Sequence, residues 1–242
     1  MKKSYAKNKK FRVHDKIYLK KKFFVKESDK FILENIIYLK KNFSNFVDIG
    51  CANGSFLSLI SSFDSKIKTY GADVRSDLLK VAKKHSPKSK FFQIDINKKL
   101  TKKQIKKIGK FDAILMGGVH TIFDDIKIWV RNLIDLTNKD GIIFLYGSFN
   151  PRDIDVLVKA KDSKNNIWES GWNRWSIKSI FKEFKKYSFF GVAKKFNIKI
   201  DIKEDKKDPK KNWTIDTQKE KLTVNGLELI SSPYLLILKN EK

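Results

Sequence analysis

Three features of the sequence predict an α/β fold with an open, doubly wound sheet covered by helices on both faces. Strand-like apolar runs and amphipathic helical stretches alternate between residues 28 and 149, the connections between them are short, and the first apolar run, in "FVDIGCANG" (46–54), breaks on a pair of glycines. Such alternation favours parallel strands, because each crossover must carry the chain back across the sheet. Ligands of these sheets bind where the strands end.

Each element has its own signal. In "ESDKFILENIIYLKKN", Ile32, Leu33, Ile36 and Leu39 share one helical face, with Ser28 as the expected cap. Strand "FVDI" (46–49) follows, then helix "SFLSLI" (55–60), strand "KIKTYGADV" (66–74), helix "SDLLKVAKKH" (76–85) and strand "KFFQIDI" (90–96). A short helix is expected after Thr101, with Gln104 completing a capping box. "FDAILMGG" (111–118) reads as a buried strand, and "FDDIKIWVRNLIDL" (123–136) as a helix that turns Ile126, Trp129, Val130 and Leu133 inward. "GIIFLYGSF" (141–149) is the fifth strand.

Beyond Phe149 the pattern changes. Residues 150–175, of mixed polarity and with three tryptophans, precede a helix, "SIKSIFKEFKKY", whose Ile177, Ile180, Phe181 and Phe184 form one stripe. A connection this long in a compact domain is usually functional. "KKFNIKIDI" (194–202) then alternates Phe196, Ile198, Ile200 and Ile202 as a half-buried antiparallel strand would. A polar insertion at 203–232 and a last strand, "PYLLILK" (233–239), complete a sheet of seven strands, mostly parallel with the last one antiparallel.

Composition limits the function classes. At 242 residues and 41% hydrophobic content the chain can bury a sizeable core, and it lacks the run of about 20 apolar residues that a membrane helix needs. The first residues, "MKKSYAKNKKFRVHDK", carry neither the apolar segment nor the cleavage site of a secretory signal, so a cytoplasmic location is expected, with no membrane insertion. A lone cysteine, Cys51, rules out an internal disulfide and a multi-thiolate zinc site, and three separated histidines do not make a metal site. The net charge of +26 raises nucleic acid as a partner, but only five of the 53 basic residues are arginine, the side chain best suited to bidentate phosphate and base contacts. A solvated lysine surface is the simpler reading.

The glycine turn separates two cofactor chemistries. Glycines between a strand and a helix let a ligand approach the backbone and meet the helix N–H groups. A dinucleotide site reads G-x-G-x-x-G, whereas this turn reads D-x-G-x-x-x-G, lacking the middle glycine and placing Asp48 where a phosphate would be repelled. An acid there suits a ligand with positive charge. S-adenosylmethionine carries a sulfonium and an ammonium and no phosphate.

The segment resembles the first motif of class I S-adenosylmethionine-dependent methyltransferases, and the resemblance runs on through about residue 150. It implies a Rossmann-like doubly wound sheet and a cofactor held by the turn (Asp48, Gly50, Cys51, Ala52, Gly54), by Asp73 and Val74 at the second strand end, by Asp95 and Ile96 at the third, and by Gly117 after the fourth. In the family Asp73 matches the acid that binds both ribose hydroxyls, and Asp95 the polar residue beside the adenine amine. It also implies one methyltransferase domain over 27–242, behind a basic arm at 1–26: a cofactor-binding half to 150, and an acceptor-side half from 151 with its insertion at 203–232. Cys51 is expected only to pack.

Methyl transfer asks mainly for positioning, and a hydroxyl acceptor gains from a base. His120, after the fourth strand, is the candidate general base. "MGGVH" stands where enzymes that methylate the amines of flipped bases carry N/D-P-P-Y/F, which counts against a nucleobase acceptor. Trp168, Trp172, Asn173 and Arg174, together with His14 of the arm, are expected to line an acceptor site suited to a sugar or sugar nucleotide. The C-terminal half resembles methyltransferases of bacterial surface-polysaccharide synthesis. Two other readings stay open: an RNA methyltransferase using the lysine-rich arm for phosphate contacts, and a non-catalytic cofactor-binding scaffold.

Overall fold

The computed structural model describes residues 18–19, 25–39, 42–161, 163 and 168–241. Helix α1 (Glu27–Tyr38) leads into β1 (Asn45–Ile49), followed by α2 (Ser55–Phe63), β2 (Lys68–Asp73), α3 (Ser76–His85), β3 (Lys90–Gln93), α4 (Lys102–Ile108), β4 (Phe111–Gly117), α5 (Lys127–Asp135) and β5 (Thr137–Ser148). The remainder comprises a hairpin of β6 (Lys159–Lys161) and β7 (Trp168–Ser170), then α6 (Ile177–Lys185), β8 (Phe189–Lys195), a second hairpin of β9 (Trp213–Asp216) and β10 (Lys221–Val224), and β11 (Pro233–Asn240).

Seven strands form one sheet in the order β3-β2-β1-β4-β5-β11-β8. The pairs from β3 to β5 are parallel, and β11 runs antiparallel to both β5 and β8. This is a Rossmann-like, doubly wound arrangement. The chain winds outward from β1 in one direction through β2 and β3, then in the other from β4, so a crevice opens at the C-terminal ends of β1 and β4.

Both faces of the sheet are covered, as apolar strands such as β1 and β4 require. One cluster joins Trp129 and Leu133 of α5 to Ile180 and Phe184 of α6. The other joins Ile32 and Ile36 of α1 to Leu57 and Ile60 of α2. The expected inward residues of α5 are all buried. In the expected α4 box, the Thr101 hydroxyl accepts from Gln104 N–H at 3.2 Å while the Gln104 side chain accepts from Thr101 N–H at 2.9 Å.

Three boundaries differ from the sequence reading. Ser28 does not cap α1: the N-cap is Lys26, whose backbone N–H donates to the Asp29 carboxylate at 3.0 Å. Strand β3 stops at Gln93, so Asp95 lies in the turn beyond it. The expected strand at 194–202 is displaced to 189–195, because β11 pairs with Phe189 through Lys195, and of the alternating apolar residues only Phe196 is buried. The alternation at 196–202 has the right period, but the segment meets strands only at its ends, where Phe196 N–H donates to Pro233 O at 2.9 Å and Ile202 O accepts from Thr214 N–H at 3.0 Å.

Candidate active site

The cradle starts from backbone that only small residues tolerate. Gly50 (φ 80°), Ala52 (φ 47°) and Gly54 (φ 76°) all lie in the left-handed region. For glycine this conformation carries no steric cost. Gly50 is also packed against Val119 so closely that a Cβ would strike its side chain. The turn is therefore locked onto the loop after β4, and α2 begins directly from Gly54.

Asp73 fastens the turn from the next strand. Its Oδ2 accepts from Ala52 N–H at 3.1 Å and its Oδ1 from Arg75 N–H at 2.9 Å, so one buried carboxylate ties the ends of β1 and β2 together. Asp95 accepts from Asn97 N–H at 3.1 Å. Asp73, Val74, Asp95, Ile96, Gly50, Ala52 and Gly117 all face one cavity of about 430 Å³ across the ends of β1, β2, β3 and β4. That volume suits a small-molecule cofactor.

A second hollow of about 280 Å³ adjoins it, sharing Tyr18, Gly50, Ala52, Gly117 and Gly118. Asp48, Cys51, Lys26, Asp29 and Tyr146 line this part. Burial pushes the Asp48 carboxyl up to about 8, helped by Asp29 and Asp73 and opposed by Lys26. Burial also raises Asp29, against the Lys26 N–H and ammonium. The Lys26 ammonium is pulled down by burial, yet Tyr18, Asp29 and Asp48 around it outweigh that and leave it raised. Its Nζ donates to the Tyr18 hydroxyl at 3.1 Å. Two acids and one ammonium thus face each other in this hollow. Cys51 is buried with its thiol pushed well up by desolvation, which makes it inert packing.

His120 does not reach either hollow. It is 0% exposed, stacked 4.2 Å from Phe149, with Nε2 at 3.3 Å from Ser148 O. Burial pulls its pKa down to about 4, and its Nδ1 has no partner. Gly147 (φ 150°) makes room for the ring, since a Cβ there would sit 2.5 Å from His120 Cε1. The expected base is a packing residue behind the cavity wall.

The expected acceptor residues also divide. Trp168 is 60% exposed and Trp172 half-buried, but Asn173 is 0% exposed and fully engaged: its Nδ2 donates to Phe123 O and Asp124 Oδ1, both at 3.0 Å, and its Oδ1 accepts from Val158 N–H at 2.8 Å. Arg174 is buried, donates to Trp172 O at 2.9 Å, and is pulled down by desolvation. Asn173 and Arg174 hold the loop and line neither hollow. Asp155 accepts from Ser176 N–H at 2.7 Å and Ser179 Oγ at 2.8 Å, which fastens the same loop to the start of α6. His14 lies outside the described residues.

Sequence reasoning missed Lys26, Asp29 and Tyr146. Asp29 is three residues after Lys26, the spacing of a capping pair, and that spacing was the available signal. Tyr146 sits at the apolar end of β5 and gives none.

Residues 47–143 match the family model described as a methyltransferase domain. The sheet is similar to three solved structures. The N-methyltransferase NodS from Bradyrhizobium japonicum WM9, solved with S-adenosyl-L-homocysteine, is 13% identical, with 89% of this chain and 87% of that one covered and a TM-score of 0.54. An S-adenosylmethionine-dependent methyltransferase from Clostridium acetobutylicum ATCC 824 is 13% identical over 90% and 93%, with a TM-score of 0.56. The Burkholderia thailandensis 1,6-didemethyltoxoflavin-N1-methyltransferase, with its substrate and S-adenosylhomocysteine bound, is 10% identical over 89% and 78%, with a TM-score of 0.53. At such identities the likeness establishes the fold. No curated protein matches the sequence. Residues 47–143 are therefore a methyltransferase domain, carried on a Rossmann-like sheet. Its cofactor is S-adenosylmethionine. Among the described residues no helix is long and apolar enough to cross a membrane.

Proposed function

We propose that the protein transfers the methyl group of S-adenosylmethionine to a hydroxyl of a sugar or sugar nucleotide, as a step of bacterial polysaccharide synthesis in the cytoplasm. The observation that carries the reading is the pair of joined hollows: a cofactor-sized cavity crossed by acids at successive strand ends, opening past Gly117 and Gly118 into a smaller polar one. In this reading Asp73 takes the ribose hydroxyls, and Asp95 with Ile96 the adenine. Asp48 and Asp29 meet the ammonium of the methionine tail, and Lys26 its carboxylate. The bound cofactor supplies an electrophilic methyl group.

The chain's own contribution is positioning, which can be worth on the order of 7–11 kcal/mol. The glycine turn and Asp73 fix the cofactor, and the smaller hollow holds its methionine tail, so that the methyl group faces the acceptor at Gly117 and Gly118, where the two hollows join. With His120 buried, no histidine among the described residues lines either hollow, and an acceptor hydroxyl would lose its proton to the polar lining or to solvent. Trp168, exposed at the rim of the β6–β7 hairpin with Lys161 Nζ 5.5 Å from its ring centroid, supports a sugar face as the docking group.

The test is to incubate the protein with methyl-labelled S-adenosylmethionine and fractionated lysate of its source cells. Label in nucleotide sugars or extracted glycan is the expected result. Ribonuclease-sensitive label would replace this reading with the RNA one, and cofactor binding without turnover on any fraction would leave a scaffold.

A further inference from the structure

A third hollow, of about 590 Å³, lies at the opposite end of the strands, between the second half of α2, the start of β2 and the turn from α3 to β3. Across the six residues of β2 this places it about 20 Å from the cofactor cavity. Ser61, Thr69 and Ser86 line it, and buried Ser89 behind them links their hydroxyls into a chain. Ser61 Oγ lies 3.2 Å from Thr69 Oγ1, Thr69 Oγ1 lies 2.6 Å from Ser89 Oγ, and Ser89 Oγ lies 2.7 Å from Ser86 Oγ. Each of these contacts can run in either direction, so the chain can turn a donor toward a ligand.

Its rim is cationic. Lys66, Lys68, Lys88 and Lys90 line the hollow, all are exposed, and none pairs with an acid among the described residues. No Asp or Glu lines it. Lysine is common everywhere on this chain, but three lining hydroxyls linked through a buried serine are not a consequence of lysine abundance. The C-termini of α2 and α3 also point to this end and carry about half a negative charge each. Four ammonium groups exceed that, and both final turns are already closed by backbone donors, Asp64 N–H to Ile60 O at 3.0 Å and Ser86 N–H to Ala82 O at 2.8 Å.

We propose that this hollow binds a phosphate-bearing small molecule at a site separate from methyl transfer. Hydroxyl donors beneath and ammonium groups around a concave floor match the oxygens of a phosphate ester. The four lysines surround one hollow and do not form the extended stripe that tracks a polymer backbone. A ligand held here is too far from the cofactor cavity to be the group that reacts.

Pyrophosphate is the probe, titrated calorimetrically into the full-length protein at constant ionic strength. The comparison is between wild type, Lys68→Glu/Lys90→Glu, and a control with the same charge change on α4, Lys102→Glu/Lys106→Glu. Wild type and control should show one saturable site of equal affinity, weakened at least tenfold in the first variant. S-adenosylhomocysteine binding should be unchanged in all three, which confirms that the variants are folded. Equal weakening in the control, or no saturation in wild type, overturns the proposal. A uridine octamer that displaces pyrophosphate at a hundredth of its concentration would also overturn it, in favour of a nucleic-acid surface.

Discussion

The cradle at the ends of β1 and β2 and the stretch that follows β5 are both irregular backbone, yet they are held in different ways. In the cradle the backbone does the holding: Gly50, Ala52 and Gly54 turn left-handed, and one carboxylate, Asp73, collects N–H groups from both strand ends. After β5 the anchors are side chains from far along the sequence. Asn173 and Trp175 both donate to Phe123 O, 50 and 52 residues away, and Lys210 of the 203–232 segment reaches buried Glu169 at 2.7 Å. A backbone-held cradle fixes its ligand's position closely and tolerates few residues. A side-chain-held loop can change its exposed face while keeping its pins.

The largest effect should fall on the pins. Asn173→Ala removes three hydrogen bonds and leaves Val158 N–H and Phe123 O with fewer partners in the interior, a cost of about 3 kcal/mol. Urea unfolding should show that loss, with S-adenosylhomocysteine affinity of the folded protein unchanged. If affinity falls as well, the two regions are coupled and the contrast fails.

Next comes Asp73→Ala. It deletes the ribose acceptor assigned here and releases Ala52 N–H and Arg75 N–H from their shared partner. S-adenosylhomocysteine should bind at least tenfold more weakly by calorimetry, a change of about 1.4 kcal/mol or more. An unchanged dissociation constant would sink the assignment of the ribose acid.

The same contrast explains what could be read in the sequence. Asp48, Gly50 and Asp73 were legible because strand ends and left-handed turns demand particular residue types at fixed spacing. The alternation through β5, and the buried face of α5, were legible for the same local reason. The stretch after β5 was not. Asn173 and Arg174 have the chemistry of ligand contacts, and only the fold shows that Asn173 is spent on Phe123, Asp124 and Val158. His120 had the right place in sequence for a base, but the space left by Gly147 lets its ring turn inward onto Phe149. Asp29 was hidden in the periodicity of α1, whose apolar face drew the attention.

Asp48 should give a smaller effect with two signs. Its folded-state pKa of about 8 lies above the unfolded value near 4, so the unfolded chain releases this proton first and the carboxyl costs stability increasingly as pH rises from about 4 to 8. Asp48→Asn should therefore melt a few degrees higher than wild type at pH 8, with the difference vanishing near pH 4. It should also bind S-adenosylhomocysteine several-fold more weakly at pH 8, where the carboxylate would meet the ligand's ammonium. A melting difference independent of pH would show that Asp48 is not held protonated.

The smallest expected change in stability separates pin from face within the loop itself. Trp168 is 60% exposed and touches Lys161 through its ring, so Trp168→Ala should cost less than about 0.5 kcal/mol. Trp175, four-square on Phe123 O and buried, has no such freedom. If the exposed ring is where a sugar docks, Trp168→Ala raises KM for the acceptor while S-adenosylhomocysteine affinity and melting temperature stay level. If KM also stays level, the acceptor enters on the α1 side, past Lys26 and Asp29, and the β6–β7 hairpin is scaffold on both faces.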